Sequence, residues 1–136
     1  MELKDEQLAV LMAAATEARR HAYAPYSKYP VGAAILTASG SVHAGANVEN
    51  AAFPSGMCAE RVAIFDAVAR GERDVRAVVV VTENGGAPCG ACRQVLAEFS
   101  PDLWVYWRDT RGKMLKKRLS ALLPDQFVFR PGSKPR

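Results

Sequence analysis

Val75-Arg76-Ala77-Val78-Val79-Val80-Val81-Thr82 is a run of β-branched residues with almost no polar alternation. Such a strand sends apolar side chains out of both faces, so both faces need a cover, and an interior strand of a layered α/β domain provides one. The segments beside it have helical spacing. Residues 58–69 carry Val62, Phe65 and Val68 at intervals of three, with Gly71 following as a stop. Residues 89–99, introduced by Pro88, form a second helix after the loop Glu83-Asn84-Gly85-Gly86. Beyond it, residues 103–107 read as a strand, Asp109-Thr110-Arg111-Gly112 as a turn and residues 113–119 as a further strand. Ser120-Ala121-Leu122-Leu123 reads as a short helical turn ended by Pro124. Towards the start of the chain, residues 31–37 and 41–46 flank Ala38-Ser39-Gly40 and predict a β-hairpin. Residues 5–21 predict an amphipathic helix, with Leu8, Leu11, Met12, Ala15 and Ala18 on one side and Glu17, Arg19 and Arg20 facing water. Ala24-Pro25-Tyr26-Ser27 breaks it. With no internal repeat and no linker, the expectation is one α/β domain over residues 1–129, helices covering both sheet faces in three layers, and a loose polar tail over residues 130–136.

The bulk properties narrow the function classes. A chain of 136 residues, 49% hydrophobic and 24% charged, has the composition of a globular domain. Its apolar runs, such as residues 77–81, are far too short to span a membrane. Met1-Glu2-Leu3-Lys4-Asp5 lacks the apolar core of a secretory signal, so a cytoplasmic setting is expected. Three cysteines cannot pair completely, which points to a metal or a reactive thiol. Much of the net charge of +4 sits late, in Arg108, Arg111, Lys113, Lys116, Lys117, Arg118, Arg130, Lys134 and Arg136. Basic stretches attract nucleic acid, but no aromatics alternate with these cations to build a stacking platform. An edge strand guarded by lysines is the favoured reading.

Two short segments carry the chemistry: Cys58-Ala59-Glu60 and Pro88-Cys89-Gly90-Ala91-Cys92. Together they hold all three cysteines, and both fall where a helix begins. Unpaired N–H groups and the helix dipole stabilise a thiolate there. Three protein ligands on zinc leave the fourth position open for water, as catalytic sites require. Three thiolates also weaken the metal as a Lewis acid, so their charge needs an offset. The two helix N-termini and Arg61, placed to bond the thiolates, are the candidates. His21 and His43 lie outside both segments and read as surface or boundary residues. Taken singly, Cys-x-x-Cys opening a helix is equally a redox pair or half of a structural zinc site, and Cys-Ala-Glu says little. In combination they have the form of the zinc-deaminase signature.

Over nearly its whole length the chain resembles the small homotetrameric cytidine deaminases. The resemblance runs from Tyr23-Ala24-Pro25-Tyr26-Ser27-Lys28, through Asn47-Val48-Glu49-Asn50-Ala51 and Cys89-Gly90-Ala91-Cys92-Arg93-Gln94, to Leu122-Leu123-Pro124. It implies a three-layer α/β/α fold around a mixed sheet of about five strands. It also implies one zinc ion per chain on Cys58, Cys89 and Cys92, and hydrolysis of free cytidine or deoxycytidine to the uracil nucleoside and ammonia in pyrimidine salvage. By the same resemblance Glu60 is not a ligand but moves protons between the attacking water, ring nitrogen N3 and the departing amine. Asn47 and Glu49 hold ribose hydroxyls, and the backbone at Ala59 meets the base. Two positions apart on an extended segment, Asn47 and Glu49 point to the same side. Tyr29 stands where the family usually has Phe; its ring can stack on a base, but its hydroxyl needs a partner. Phe53 resembles an aromatic that the family sends into a neighbouring subunit's site, or else is an ordinary core ring. No nucleic-acid partner and no membrane are expected.

Three rivals remain at this level. A deaminase of bases within nucleic acid shares the metal chemistry, but the chain has no extra segment to grip a strand. A deaminase of antibiotic nucleosides such as blasticidin S shares the cysteine motifs. A non-enzymatic zinc module would need a fourth protein ligand, for which no suitably spaced Cys or His exists.

Overall fold

The computed structural model describes residues 2–129; the tail expected over 130–136 lies outside the described residues. Helix α1 (Asp5–Arg19) leads to the hairpin of β1 (Gly32–Thr37) and β2 (Val42–Ala46). Then follow α2 (Ala59–Ala69), β3 (Val75–Val81), α3 (Gly90–Phe99), β4 (Trp104–Arg108), β5 (Met114–Arg118) and a single turn of helix, α4 (Leu119–Leu122). The five strands form one sheet in the order β2-β1-β3-β4-β5. Only β3 and β4 run parallel, because α3 connects them as a crossover; the other neighbours are antiparallel.

The valine run fills the interior strand. Ala77, Val79 and Val81 meet Leu11 and Ala15 of α1 on one face, together with Ala34, Leu36 and Tyr106. Val78 and Val80 meet Ala63, Ile64 and Ala67 of α2 and Leu96 of α3 on the other. The three expected layers follow from this division. Strict alternation would place Arg76 in the second core, beside Val78. A register shift between Leu36 and Thr37, which pair with Ala77 and Val75, leaves Arg76 as the extra residue of a bulge. Its guanidinium turns out to an ion pair with Asp74 at 2.9 Å, while Val75 joins the core.

Close approach of α2 to β2 depends on Gly45. A Cβ there would stand 2.7 Å from the Ala63 nitrogen and 2.8 Å from the Ala59 oxygen. The glycine therefore sets the height of the first turn of α2, which carries Glu60. Element ends differ from the sequence reading by one or two residues. Helix α1 stops at Arg19, short of His21, and α4 begins at Leu119, which the pattern assigned to the preceding strand. The basic strand β5 is an exposed sheet edge, as expected. Lys116 pairs with Glu2 at 2.6 Å and Arg118 with Asp102 at 2.7 Å, and both cations lie over the Trp104 ring.

One expectation fails here. His21 is exposed, but His43 is only 8% exposed, and its Nδ1 lies 2.9 Å from Asp66 Oδ2 of α2. The pattern read it as a surface or boundary residue because it sits in a hairpin strand outside both cysteine segments, and β2 does lie at the sheet edge. The face of β2 that His43 occupies, however, is roofed by α2.

Candidate functional site

The helix starts place the cysteines. Cys58 is the N-cap of α2 and Cys89 the N-cap of α3, both extended, and Cys92 is buried in the first turn of α3. Cys58 and Cys89 each lie one position before the first residue of their helix, next to its unpaired N–H groups. The three Sγ atoms fall within 4.8 Å of one another, although 31 residues separate Cys58 from Cys89. Cys89 and Cys92 are 3.5 Å apart at sulfur and both free, well beyond the length of a disulfide. Among the described residues this is the one cluster of Cys, His, Asp or Glu able to hold a metal.

The thiols themselves call for a cation. Cys58 is drawn down to about 5, chiefly by a hydrogen bond from the Cys92 thiol and then by the Arg61 guanidinium. Cys92 is pushed far up by donating that bond and by burial. Three bare thiolates cannot share this space, because each charge raises the cost of the next. A divalent ion removes the conflict, and the all-sulfur donor set within a few ångströms suits zinc. Arg61 Nη2 lies 3.2 Å from Cys58 Sγ, where it offsets part of the thiolate charge.

Glu60 lines the same cleft as Cys58 and Cys89. It is 5% exposed, and burial, then the Cys58 charge, raises its carboxyl to about 6. A carboxyl poised there can both accept and release a proton near neutral pH. The cleft above it holds about 790 Å³ and is lined in part by Tyr29, Asn47, Glu49, Phe53, Ala59 and Glu60.

The walls are built from loops. Val48 bridges Tyr23 on one side and Met57 on the other, so Asn47 to Glu49 is extended and both polar side chains reach the cleft. Asn47 Oδ1 accepts the Val31 N–H at 2.8 Å, and its Nδ2 donates to the Tyr29 carbonyl at 2.9 Å. Glu49 accepts the N–H groups of Tyr26 and Ser27 at 2.9 and 3.1 Å and also the Ser27 hydroxyl. These bonds, the hydroxyl first, hold its carboxyl below the usual range. Both residues thus clamp the loop before β1 as well as facing the cleft.

The Tyr29 hydroxyl finds its partner in Asn84, at 2.5 Å. Phe53 is not a core ring: it sits on a one-turn 3-10 helix (Phe53–Ser55), 75% exposed, edge-on to Tyr26 at 5.7 Å. Pro54 and the short turn hold it out of reach of either core.

Sequence reasoning missed three supports. Ser27 anchors Glu49, Asn84 receives the Tyr29 hydroxyl, and Arg93 donates to the Pro88 and Leu122 carbonyls at 2.7 and 2.9 Å. Arg93 directly follows Cys92, which was a usable signal for a residue steadying the Pro88-Cys89 step. Nothing in the pattern links Asn84 to Tyr29, which lie 55 positions apart.

Comparison with known proteins agrees with this geometry. Residues 5–108 match the family model described as the cytidine and deoxycytidylate deaminase zinc-binding region. The chain is 48% identical over 122 residues to the cytidine deaminase of Halalkalibacterium halodurans, covering 88% of this chain and 92% of that one. It is 45% identical over 120 residues to the cytidine deaminase of Sporosarcina psychrophila, covering 86% and 88%. The crystal structure of cytidine deaminase from Burkholderia pseudomallei superposes with a TM-score of 0.85 at 44% identity, over 92% of this chain and all of that one.

Proposed function

Because the chain belongs to the cytidine and deoxycytidylate deaminase zinc-binding family, we propose that it hydrolyses free cytidine and deoxycytidine to the uracil nucleosides with release of ammonia. One observation carries the reading furthest. A buried carboxyl raised to about 6 stands beside a three-sulfur cluster, at the floor of a cleft whose walls present an amide, a carboxylate and an aromatic ring.

Cys58, Cys89 and Cys92 would hold the zinc, which would supply Lewis-acid activation of water at neutral pH. Glu60 takes a proton from the attacking water as its oxygen adds to C4 of the base, and delivers it to N3. As C4 returns to a carbonyl, Glu60 accepts the remaining hydroxyl proton and passes one to the amine, so the C4–N bond breaks and ammonia departs. Water and cytidine are consumed, uridine and ammonia formed, and Glu60 ends as it began. Burial supports this cycle, because a carboxyl in bulk water would sit too low to give its proton back. Asn47 and Glu49 bind the sugar hydroxyls, the Ala59 backbone meets the base edge and the Tyr29 ring flanks it. Arg61 offsets part of the Cys58 thiolate charge, which would leave a bound ion more acidic.

The homotetramer and the cytoplasmic setting belong to the same proposal. An aromatic as exposed as Phe53, at the rim of a catalytic cleft, suits insertion into a neighbouring copy. Among the described residues no helix is long and apolar enough to cross a membrane. Sedimentation or light scattering at several protein concentrations tests the assembly, and a monomer at all of them would remove Phe53's role.

The activity is tested by following ultraviolet absorbance with cytidine, deoxycytidine and blasticidin S, beside a chelator-stripped control. Metal-dependent loss of the cytidine or deoxycytidine signal is expected. Turnover of blasticidin S alone would overturn the substrate assignment, and undiminished turnover by the stripped protein would overturn the metal chemistry.

A further inference from the structure

Tyr29 is held at both ends. Its carbonyl accepts Asn47 Nδ2 at 2.9 Å, and its N–H donates to Ser27 Oγ at 3.1 Å. Its hydroxyl, across the half-buried ring, donates to Asn84 Oδ1 at 2.5 Å. Asn84 stands in the loop between β3 and α3, which runs on to Pro88 and Cys89. The same loop is tied a second time, where the Gly86 N–H donates to Thr82 Oγ1 at 2.8 Å. A Cβ on Gly86 would stand 3.0 Å from the Tyr29 hydroxyl, so the loop backbone passes directly against the phenol. Tyr29, Thr82, Gly86 and Ala87 all line the cleft. The phenol ring therefore spans the cleft wall, from the loop that Asn47 clamps to the loop that delivers a zinc ligand.

Asn84 itself is exposed and is not among the residues lining the cleft, so any effect it has on substrate passes through its partners there, the Tyr29 hydroxyl at 2.5 Å and, more weakly, Thr82 Oγ1 at 3.5 Å. A ring free to change rotamer has to be ordered when a ligand binds, and a ring already fixed does not. We propose that Asn84 is a positioning residue: by accepting the Tyr29 hydroxyl it fixes the ring and the 84–87 loop as one preorganised wall for the nucleoside. The proposal rests on the nucleoside reading of the cleft.

The test uses zinc-loaded enzyme carrying Tyr29→Phe, Asn84→Ala, both together, or Asn84→Asp. KM and kcat for cytidine are measured, with amide hydrogen exchange over residues 83–88 in the absence of substrate. Each single loss of the bond should raise KM about three- to tenfold and change kcat less than about twofold. The double variant should be no worse than Asn84→Ala, because that single already removes the Tyr29 bond together with the longer one from Thr82. Asn84→Asp keeps an acceptor oxygen and should restore KM. Exchange over 83–88 should quicken in Tyr29→Phe and Asn84→Ala alike while α1 is unchanged. Unchanged KM in the singles, or effects that multiply in the double, would overturn the positioning role. If the wild-type enzyme turned over no cytidine, the nucleoside reading would fail and this role with it. Hydrogen exchange would then still separate a real tie from none, since unchanged exchange means the bond does not hold the loop.

Discussion

The floor and the walls of the cleft are built by different means. The floor, Cys58, Glu60, Cys89 and Cys92, sits at two helix starts that rest on the sheet, and Glu60 and Cys92 are buried. The walls, Tyr29, Asn47, Glu49 and Phe53, come from loops held by side-chain bonds to neighbouring backbone. Reacting groups need placement within a fraction of an ångström, and packed helices supply it. Groups proposed to hold a sugar tolerate more movement, but their loops need pins, so in the proposed function the same side chains serve as pin and contact. A floor substitution should therefore strike chemistry or metal with little other damage, whereas a wall substitution should weaken folding and binding together.

Glu60→Gln is the sharpest break. Turnover should fall about a thousandfold or more with zinc content at one per chain, as expected for losing a proton-transfer group. Its thermal midpoint should not drop, since the change removes a carboxyl that burial disfavours as an anion. Turnover near the wild-type rate in folded, metal-loaded protein would end the proton-shuttle role. Cys89→Ala should next lose the metal, read by elemental analysis. Full zinc occupancy would contradict the ligand set.

Asn47→Ala should behave as a wall residue. Losing both backbone bonds should cost about 2 kcal/mol in denaturant unfolding and raise KM about tenfold. A KM effect without any stability loss would dissolve the distinction between pin and contact. The smallest effect belongs to the sheet edge, far from both. Lys116→Ala should shift stability by less than about 0.5 kcal/mol, because its ion pair with Glu2 is solvent-exposed. A larger loss there would mean that edge contacts matter as much as the wall pins.

The layers, the strand count and the zinc motif were legible because each depends on local spacing. A run of valines needs two covers wherever it occurs, and the unpaired N–H groups of a helix start favour negative charge there. His43 was misread because burial on an edge strand depends on which helix lies over that face. The bulge at Arg76 was invisible for a similar reason, since it is set by the register with β1. Phe53 was left open between core and surface, and the short turn around Pro54 settled it as exposed.

Spacing along the chain thus specified the three-layer plan and both cysteine segments, because periodicity and thiol chemistry act over a few residues, whereas a proton-transfer role for Glu60 was implied only by the family resemblance. Folding decided that Cys58 and Cys89 meet at the sulfurs, that Glu60 is buried far enough to titrate near neutrality, and that Tyr29 closes on Asn84. Those outcomes depend on distances between segments remote in sequence and on the water excluded between them, which packing of the whole chain sets.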